Sequence, residues 1–386
     1  MNLSDRLRIG TILASATLTV MAGSIIAPVL NPMEAGLGVS AGATRLIITT
    51  HGIVIAILSP FVGIIIDKIG IRKPFVFGLT MYAIAGGSGF FISDYWLLIV
   101  SRILFGVGVA AIFTSVTVAI LNLYKGPNRN RIMGWRGSSN SIGGIIYPLL
   151  GGFLGTITWH LPFTIYLIGL PVALLAYLTL PDMSLKLDDS NNGNGERVSV
   201  LQLLKSTPAL YFAYGMIFLA NLLIYAKVVF LPGLIAQIEP VDTFVIGICF
   251  ATSSLFAAVT AFFYGRIKAF LSYKAIFIVC LALWIVGFGA LSQASSLWQV
   301  LCSISLFGIG QGMVIPSVAL WAGELIPDSF RGRVTSYLAT FGYVGQFLSP
   351  ILFNPVASAL NVNSVFWVVS IVCAVFLLVL LMFLRQ

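Results

Sequence analysis

The stretch GIIIDKIGIRK, Gly63–Lys73, follows the apolar run Ala43–Val62 and leads directly into another. It gathers an aspartate, two lysines and an arginine into eleven positions of a chain in which only 9% of residues are charged. Charge this concentrated between apolar runs reads as a joint between two membrane-crossing helices. The composition agrees: hydrophobic residues make up 59% and mean hydropathy is +1.04, whereas in soluble domains about a quarter of residues are charged.

A bilayer-spanning helix needs about 20 mainly apolar residues. Twelve such runs follow one another, near 9–33, 43–66, 74–92, 96–123, 131–157, 160–180, 208–235, 243–265, 273–293, 297–323, 333–360 and 363–384. A β-barrel would instead show short segments of alternating polarity, and runs such as Val365–Leu384 do not alternate. The expected fold is an all-α membrane protein with twelve transmembrane helices. Met1–Arg8 is basic, but the apolar stretch behind it is too long for the core of a cleaved signal peptide, so the first run reads as a retained span.

The net charge of +9 forms no dense patch of the kind nucleic acid requires. It is spread over alternate joints: Arg6, Arg8, Lys68, Arg72, Lys73, Lys125, Arg129 and their successors fall on one side, and Arg45 at most on the other. The positive-inside bias puts both termini in the cytoplasm of a multi-pass cell-membrane protein surrounded by bilayer lipid. The four cysteines, Cys249, Cys280, Cys302 and Cys373, fall within apolar runs as small packing residues. With two histidines and no HExxH or CxxC pattern, no metal site, cofactor or catalytic cluster is expected.

The long polar segment Asp182–Lys205, containing DDSNNGNGER, divides the chain into a half at 1–181, a cytoplasmic linker at 182–205 and a half at 206–386. Shifting the sequence by 202 positions lays one half on the other without a gap. LFGVG (Leu104–Gly108) meets LFGIG (Leu306–Gly310), Trp96 meets Trp298, Gly63 meets Gly265, Arg129 and Arg131 meet Arg331 and Arg333, and Pro148 meets Pro350. Two pseudo-symmetric six-helix bundles joined in this way suit alternating access, with substrate bound near the midplane between them. Each half opens with a helix carrying proline near its outer end, in APVLNP (Ala27–Pro32) and FLPG (Phe230–Gly233). Each is either a bent gate or a kinked structural helix.

Within the opening stretch, Gly63, Asp67, Lys68, Gly70, Arg72 and Lys73 resemble motif A of the major facilitator superfamily, G-x-x-x-D-R/K-x-G-R-R/K, with Ile71 replacing one basic residue. The resemblance implies that Asp67 faces the start of the eleventh run, around Arg331 and Arg333, and latches the cytoplasmic side in the outward-open state. A carboxylate at a helix N-terminus gains from the dipole and the free N–H groups, about 1 to 3 kcal/mol for one contact. The second half keeps Gly265, Arg266, Lys268 and Lys274 but has Ala269 opposite Asp67, so its latch is incomplete.

RILFGVGVAA, Arg102–Ala111, resembles the family's motif B with Phe105 in the usual glutamine position. In similar proton-driven exporters this arginine takes part in coupling; the alternative is that Arg102 snorkels to the outer surface. Gly134, Gly143, Pro148, Gly151 and Gly152 fit the spacing of the antiporter motif C, with Tyr147 replacing the glycine before proline. That resemblance implies exchangers and exporters more than importers. Small residues there also let helices approach closely.

The candidate coupling groups are Arg102, His51, whose imidazole type titrates near neutrality, and Glu34, at or beyond the outer end of the first run. Asn140, Asn221 and Gln311 fall near mid-depth, and Tyr225 and Lys227 join them as candidate cavity residues. Each buried amide either lines the cavity or ties two helices together. Over nearly its whole length the chain is most similar to the twelve-span drug:proton antiporters. This implies a monomer that exports a small amphipathic compound in exchange for protons. The competing expectation is a proton-coupled importer of a small organic anion or metabolite, attracted by Arg102, Lys227 and Arg136. No P-loop suggests ATP coupling, and nothing in the sequence suggests an enzyme.

Overall fold

A computed structural model describes residues 3–181, 207, 209–325 and 331–383, apart from the side chains at 67, 127, 130, 331–336 and 383. The linker expected at 182–205 lies outside the described residues. So do the side chains of Asp67, Arg331 and Arg333, the two sides of the expected latch. In hydrocarbon a backbone must satisfy its own hydrogen bonds, which these apolar runs do as helices. The passages are α1 (Leu3–Leu37), α2 (Ala41–Ile69), α3 (Arg72–Gly87), α4 (Tyr95–Leu123), α5 (Gly126–Gly155) and α6 (Leu161–Thr179) in the first half. The second half has α7 (Ala209–Ile238), α8 (Thr243–Phe262), α9 (Tyr273–Ser292), α10 (Leu297–Glu324), α11 (Arg331–Ala359) and α12 (Val362–Phe383).

Nine of the described passages are long and apolar enough to cross a membrane on their own. The other three complete the bundle: α3 has only 16 residues, and α5 and α11 are diluted by arginine, serine and glycine. Side-chain caps set many of the starts. Ser40, Asp94, Asp242, Ser272 and Ser296 each accept a backbone N–H from the first turn of the helix that follows.

Several ends depart from the expected runs for local reasons. α1 is helical from Leu3 but breaks after Ser24 into a 3-10 turn, Ala27–Val29, around Pro28, before helix Leu30–Leu37. α3 stops at Gly87, where three glycines in four positions give way to a 3-10 turn, Ser88–Phe90. α5 starts at Gly126, with Pro127 in its first turn, where the missing N–H costs nothing. The joint after α2 turns at Gly70, whose φ of 85° explains the glycine of the opening motif.

Helix packing repeats between the halves. α1 packs on α5, α2 on α4, α3 on α4 and α3 on α6; α7 packs on α11, α8 on α10, α9 on α10 and α9 on α12. The halves join through α5 with α8 and α2 with α11, two contacts exchanged by the same symmetry.

These inter-half contacts tighten toward the face opposite the basic joints. Along α5, a Cβ built at Gly134 or Gly137 would meet nothing within 4 Å. At Gly144 it would lie 3.3 Å from Ser254, and at Gly152 2.5 Å from the Thr243 carbonyl oxygen. The bundle is closed on the non-basic face and splays toward the basic one.

Candidate functional site

The closed end is built from backbone close approaches and a few polar bridges. Gly151 seats against the Ile25 carbonyl, at the point where α1 breaks, and Gly247 seats against the Pro148 carbonyl. Thr243 Oγ1 donates to the Gly152 carbonyl at 2.6 Å. Arg45, buried on α2, reaches across to the second half: Nε donates to the Val229 carbonyl at 3.2 Å and Nη1 to Asn354 Oδ1 at 3.0 Å. Its guanidinium lies 4.2 Å from the Phe230 ring centroid. Asn31 Nδ2 donates to the Pro232 carbonyl at 2.9 Å. Here both proline-bearing segments meet in the seal. The expectations for Gly143, Pro148, Gly151 and Gly152 fall at this crossing or beside it, whereas Gly134 lies where the helices have separated.

Beneath the seal lie two polar clusters related by the 202-residue repeat. In the first half, Arg102 is completely buried, so it does not snorkel, and among the described residues it meets no carboxylate. Its Nη2 donates to the carbonyls of Ala85 and Gly86 at 3.1 and 3.0 Å, at the C-terminal end of α3, where the helix dipole is negative. The rings of Phe105, Phe163 and Tyr166 surround its guanidinium at 4.8, 5.0 and 5.5 Å. His51 packs edge-on to Phe105 at 5.7 Å, so the structure brings two of the coupling candidates to one ring. The third, Glu34, lies apart in the last turn of α1, half-exposed at the closed end.

His51 also crosses between the halves. Its Nε2 is 3.1 Å from Gln346 Nε2 on α11, and both residues are 2% exposed. The amide donates to the ring when the imidazole is neutral and carries its proton on Nδ1.

In the second half, Lys227 Nζ donates to Ser253 Oγ at 2.7 Å and lies 4.7 Å from the Phe307 ring centroid. Ser253 and Phe307 are the positions of His51 and Phe105 moved by 202. Each phenylalanine packs on a further repeat-related ring, Tyr82 at 4.7 Å and Trp284 at 5.3 Å. Among the remaining cavity candidates, Tyr225 OH lies 3.1 Å from a Cβ built at Gly23 of α1, bridging the halves. Asn221 Nδ2 turns back to the Ile217 carbonyl, and Asn140 Oδ1 and Gln311 Oε1 are buried without hydrogen-bond partners. Of the opening motif's cations, Arg72 lies over the Tyr177 ring, and Lys68 and Lys73 are exposed. Sequence reasoning missed Gln346 and Ser253 and treated Arg45 only as a topological exception. Ser253 was detectable as the partner of His51 at the repeat offset; Gln346, which aligns with Gly144, was not.

The model of the major facilitator superfamily matches residues 12–243 and 228–386, essentially the whole chain. The chain belongs to that superfamily. Its fold is shared with the nucleoside transporter NupG, at a TM-score of 0.79 and 15% identity over 99% of each chain. Relatives include the bacillibactin exporter of Bacillus subtilis, 25% identical over 96% of this chain and 94% of the relative. The multi-drug resistance efflux pump PmrA of Streptococcus pneumoniae is 24% identical over 97% and 94%. As a superfamily member the chain is a multi-pass membrane transporter of small molecules, not an enzyme. The seal and the His51–Gln346 contact lie between the halves, whereas the contacts of Arg102 stay within the first half and those of Lys227 within the second.

Proposed function

We propose that this transporter exports a small amphipathic compound in exchange for protons, by alternating access, with the basic face and both termini in the cytoplasm. On this reading the described state is inward-facing: closed at the outer end and open to the cytoplasm. The full-length similarity to proteins named as exporters and the resemblance to motif C, whose Gly152 lies at the α5–α8 crossing, support the direction. The observation that carries proton coupling is the His51–Gln346 contact, in which an ionisable imidazole hydrogen-bonds across the two halves.

The chemistry of that contact makes it responsive to a proton. Neutral His51 accepts from the amide through Nε2; the imidazolium donates from both nitrogens and needs an acceptor there. Proton binding therefore forces the Gln346 amide to turn its oxygen or to let go, which biases α2 against α11. Arg102, held by the end of α3 and by Phe105, fixes the ring against which His51 packs. The Asp67 latch toward Arg331 and Arg333 would hold the opposite, outward-open state.

The test uses inverted membrane vesicles with an acidified lumen and a panel of amphipathic dyes of either charge. Export by exchange predicts that a transported dye accumulates in the lumen and discharges the pH gradient, and that His51→Gln abolishes the discharge. Dye leaving the lumen together with protons would establish import and overturn the direction.

A further inference from the structure

Packing does not account for Lys227. It is 4% exposed within the membrane-spanning part of α7 and, among the described residues, makes one hydrogen bond, to Ser253 Oγ. At the same place in the first half, 202 residues earlier, stands Ile25, fully buried. The repeated architecture therefore packs with an apolar side chain at this point, and the lysine is an addition to it. A charged group within the bilayer is costly, and it is retained where it pairs with another charge or lines a route.

The sequence offers it no counter-ion. Every aspartate and glutamate of the chain lies in a joint, in the linker or within about a turn of a helix end. The buried cations Arg102 and Lys227 thus stand in a membrane interior without buried carboxylates. Half-buried Arg136, on α5 where the halves separate, adds a third positive group between the basic face and the clusters, held by Thr117 Oγ1 at 3.0 Å.

What surrounds Lys227 suits an acid. The ammonium has two N–H bonds unused, and the Phe307 ring beside it offers an apolar surface. Gln311 follows Phe307 by four residues, so it shares that helix face one turn nearer the basic side, and its buried amide oxygen has no partner. Turned over, that amide presents N–H donors. Lys227 also sits just below the seal, since Arg45 takes the Val229 carbonyl two residues further along α7.

We infer that the transported compound carries an acidic group, a carboxylate or its equivalent, which seats on Lys227 with Ser253 and Gln311 as further hydrogen-bonding partners. The inference deepens the export reading and depends on it only for direction. Its test is made without a gradient, so that failure here leaves direction untouched and failure of the vesicle experiment leaves binding untouched.

The probes are 2-naphthoate and naphthalen-2-ylmethylammonium, similar in shape and opposite in charge. Binding to the full chain in lipid nanodiscs is read from the dependence of its melting temperature on probe concentration. The wild type binds naphthoate at least about tenfold more tightly than the ammonium, a gap of about 1.4 kcal/mol. Lys227→Met removes the preference by weakening naphthoate, and Lys227→Arg keeps it to within about threefold. Equal binding of both probes, a preference for the ammonium, or no naphthoate binding overturns the inference; so does a folded Lys227→Met variant that keeps the preference. If Lys227→Met does not fold, the wild-type preference and Ser253→Ala decide. That variant shifts naphthoate affinity by about threefold or more and leaves the ammonium unmoved, and equal effects on both probes overturn the inference.

Discussion

Substituting Gly152 tests whether the α5–α8 crossing sets the balance between the two access states. A Cβ built at Gly152 lies 2.5 Å from the Thr243 carbonyl oxygen and 3.0 Å from Phe244 Cα, both backbone atoms of the opposite half. Ordinary contact begins near 3.4 Å, so Gly152→Ala obliges α8 to withdraw by about 1 Å, an overpacking that costs about 1 to 3 kcal/mol. The Thr243 hydroxyl bond to the Gly152 carbonyl is disturbed as well. Only the state closed at this end bears the penalty, so its population relative to the alternative falls by about 5- to 150-fold. Two single-cysteine reporters in a cysteine-free background read the shift with impermeant thiol reagents. Gly134→Cys, on the splayed part of α5, should label more slowly from the basic face, and Val229→Cys, within the seal, faster from the opposite face. Gly137→Ala is the reference, because its Cβ meets nothing within 4 Å. A folded Gly152→Ala protein whose two labelling rates match the wild type would refute the argument that close approach at this crossing holds the seal.

Arg45→Ala removes donors to Val229 O and Asn354 Oδ1, bonds to a charged group worth about 1.5 to 3 kcal/mol each. The same two reporters should shift in the same direction, and unchanged rates would take Arg45 out of the seal. His51→Gln keeps a hydrogen-bonding group at the interface with Gln346 but cannot titrate. Substrate-driven proton flux should fall by about tenfold or more while substrate exchange without a gradient continues; normal proton flux would remove His51 from coupling. Asp67→Asn should leave melting temperature unchanged and slow turnover in proteoliposomes, in keeping with a latch worth about 1 to 3 kcal/mol. Wild-type turnover would end the latch reading.

What could be read in advance was whatever depends on local sequence or on the repeat. Twelve apolar runs and the offset of 202 are of this kind, because helix formation is decided within a few residues; Gly70 was named only as part of a motif, and its positive φ supplies the physical reason for it. Helix ends shifted where glycine or proline competed with the apolar pattern, as at Pro28 and Gly87. The surroundings of the candidate residues were less legible. Arg102 finds its partners in two backbone carbonyls at the end of α3, and a carbonyl has no sequence signature. Gln346 meets His51 from 295 positions away, through packing of the halves that no local pattern records.

The repeat also shows where function departs from architecture. Duplication accounts for the matched packing of α2 on α4 and α8 on α10, and for the aromatic pairs Tyr82–Phe105 and Trp284–Phe307 that fill equivalent places in the two halves. Against that symmetric background, in which buried Ser101 and Ser115 are matched by Ser303 and Ser317, four polar residues are unmatched. His51 stands opposite Ser253, Arg102 opposite Ile304, Lys227 opposite Ile25 and Gln346 opposite Gly144. If these groups served only to hold the bundle together, each half would need its own copy, because each packs in the same way. Instead the protonatable contact belongs to α2 and α11, and the ammonium without a counter-ion belongs to α7. On the proposed exchange reading, the proton acts at the α2–α11 contact and the compound's acidic group at the α7 ammonium, so the two solutes engage different helices.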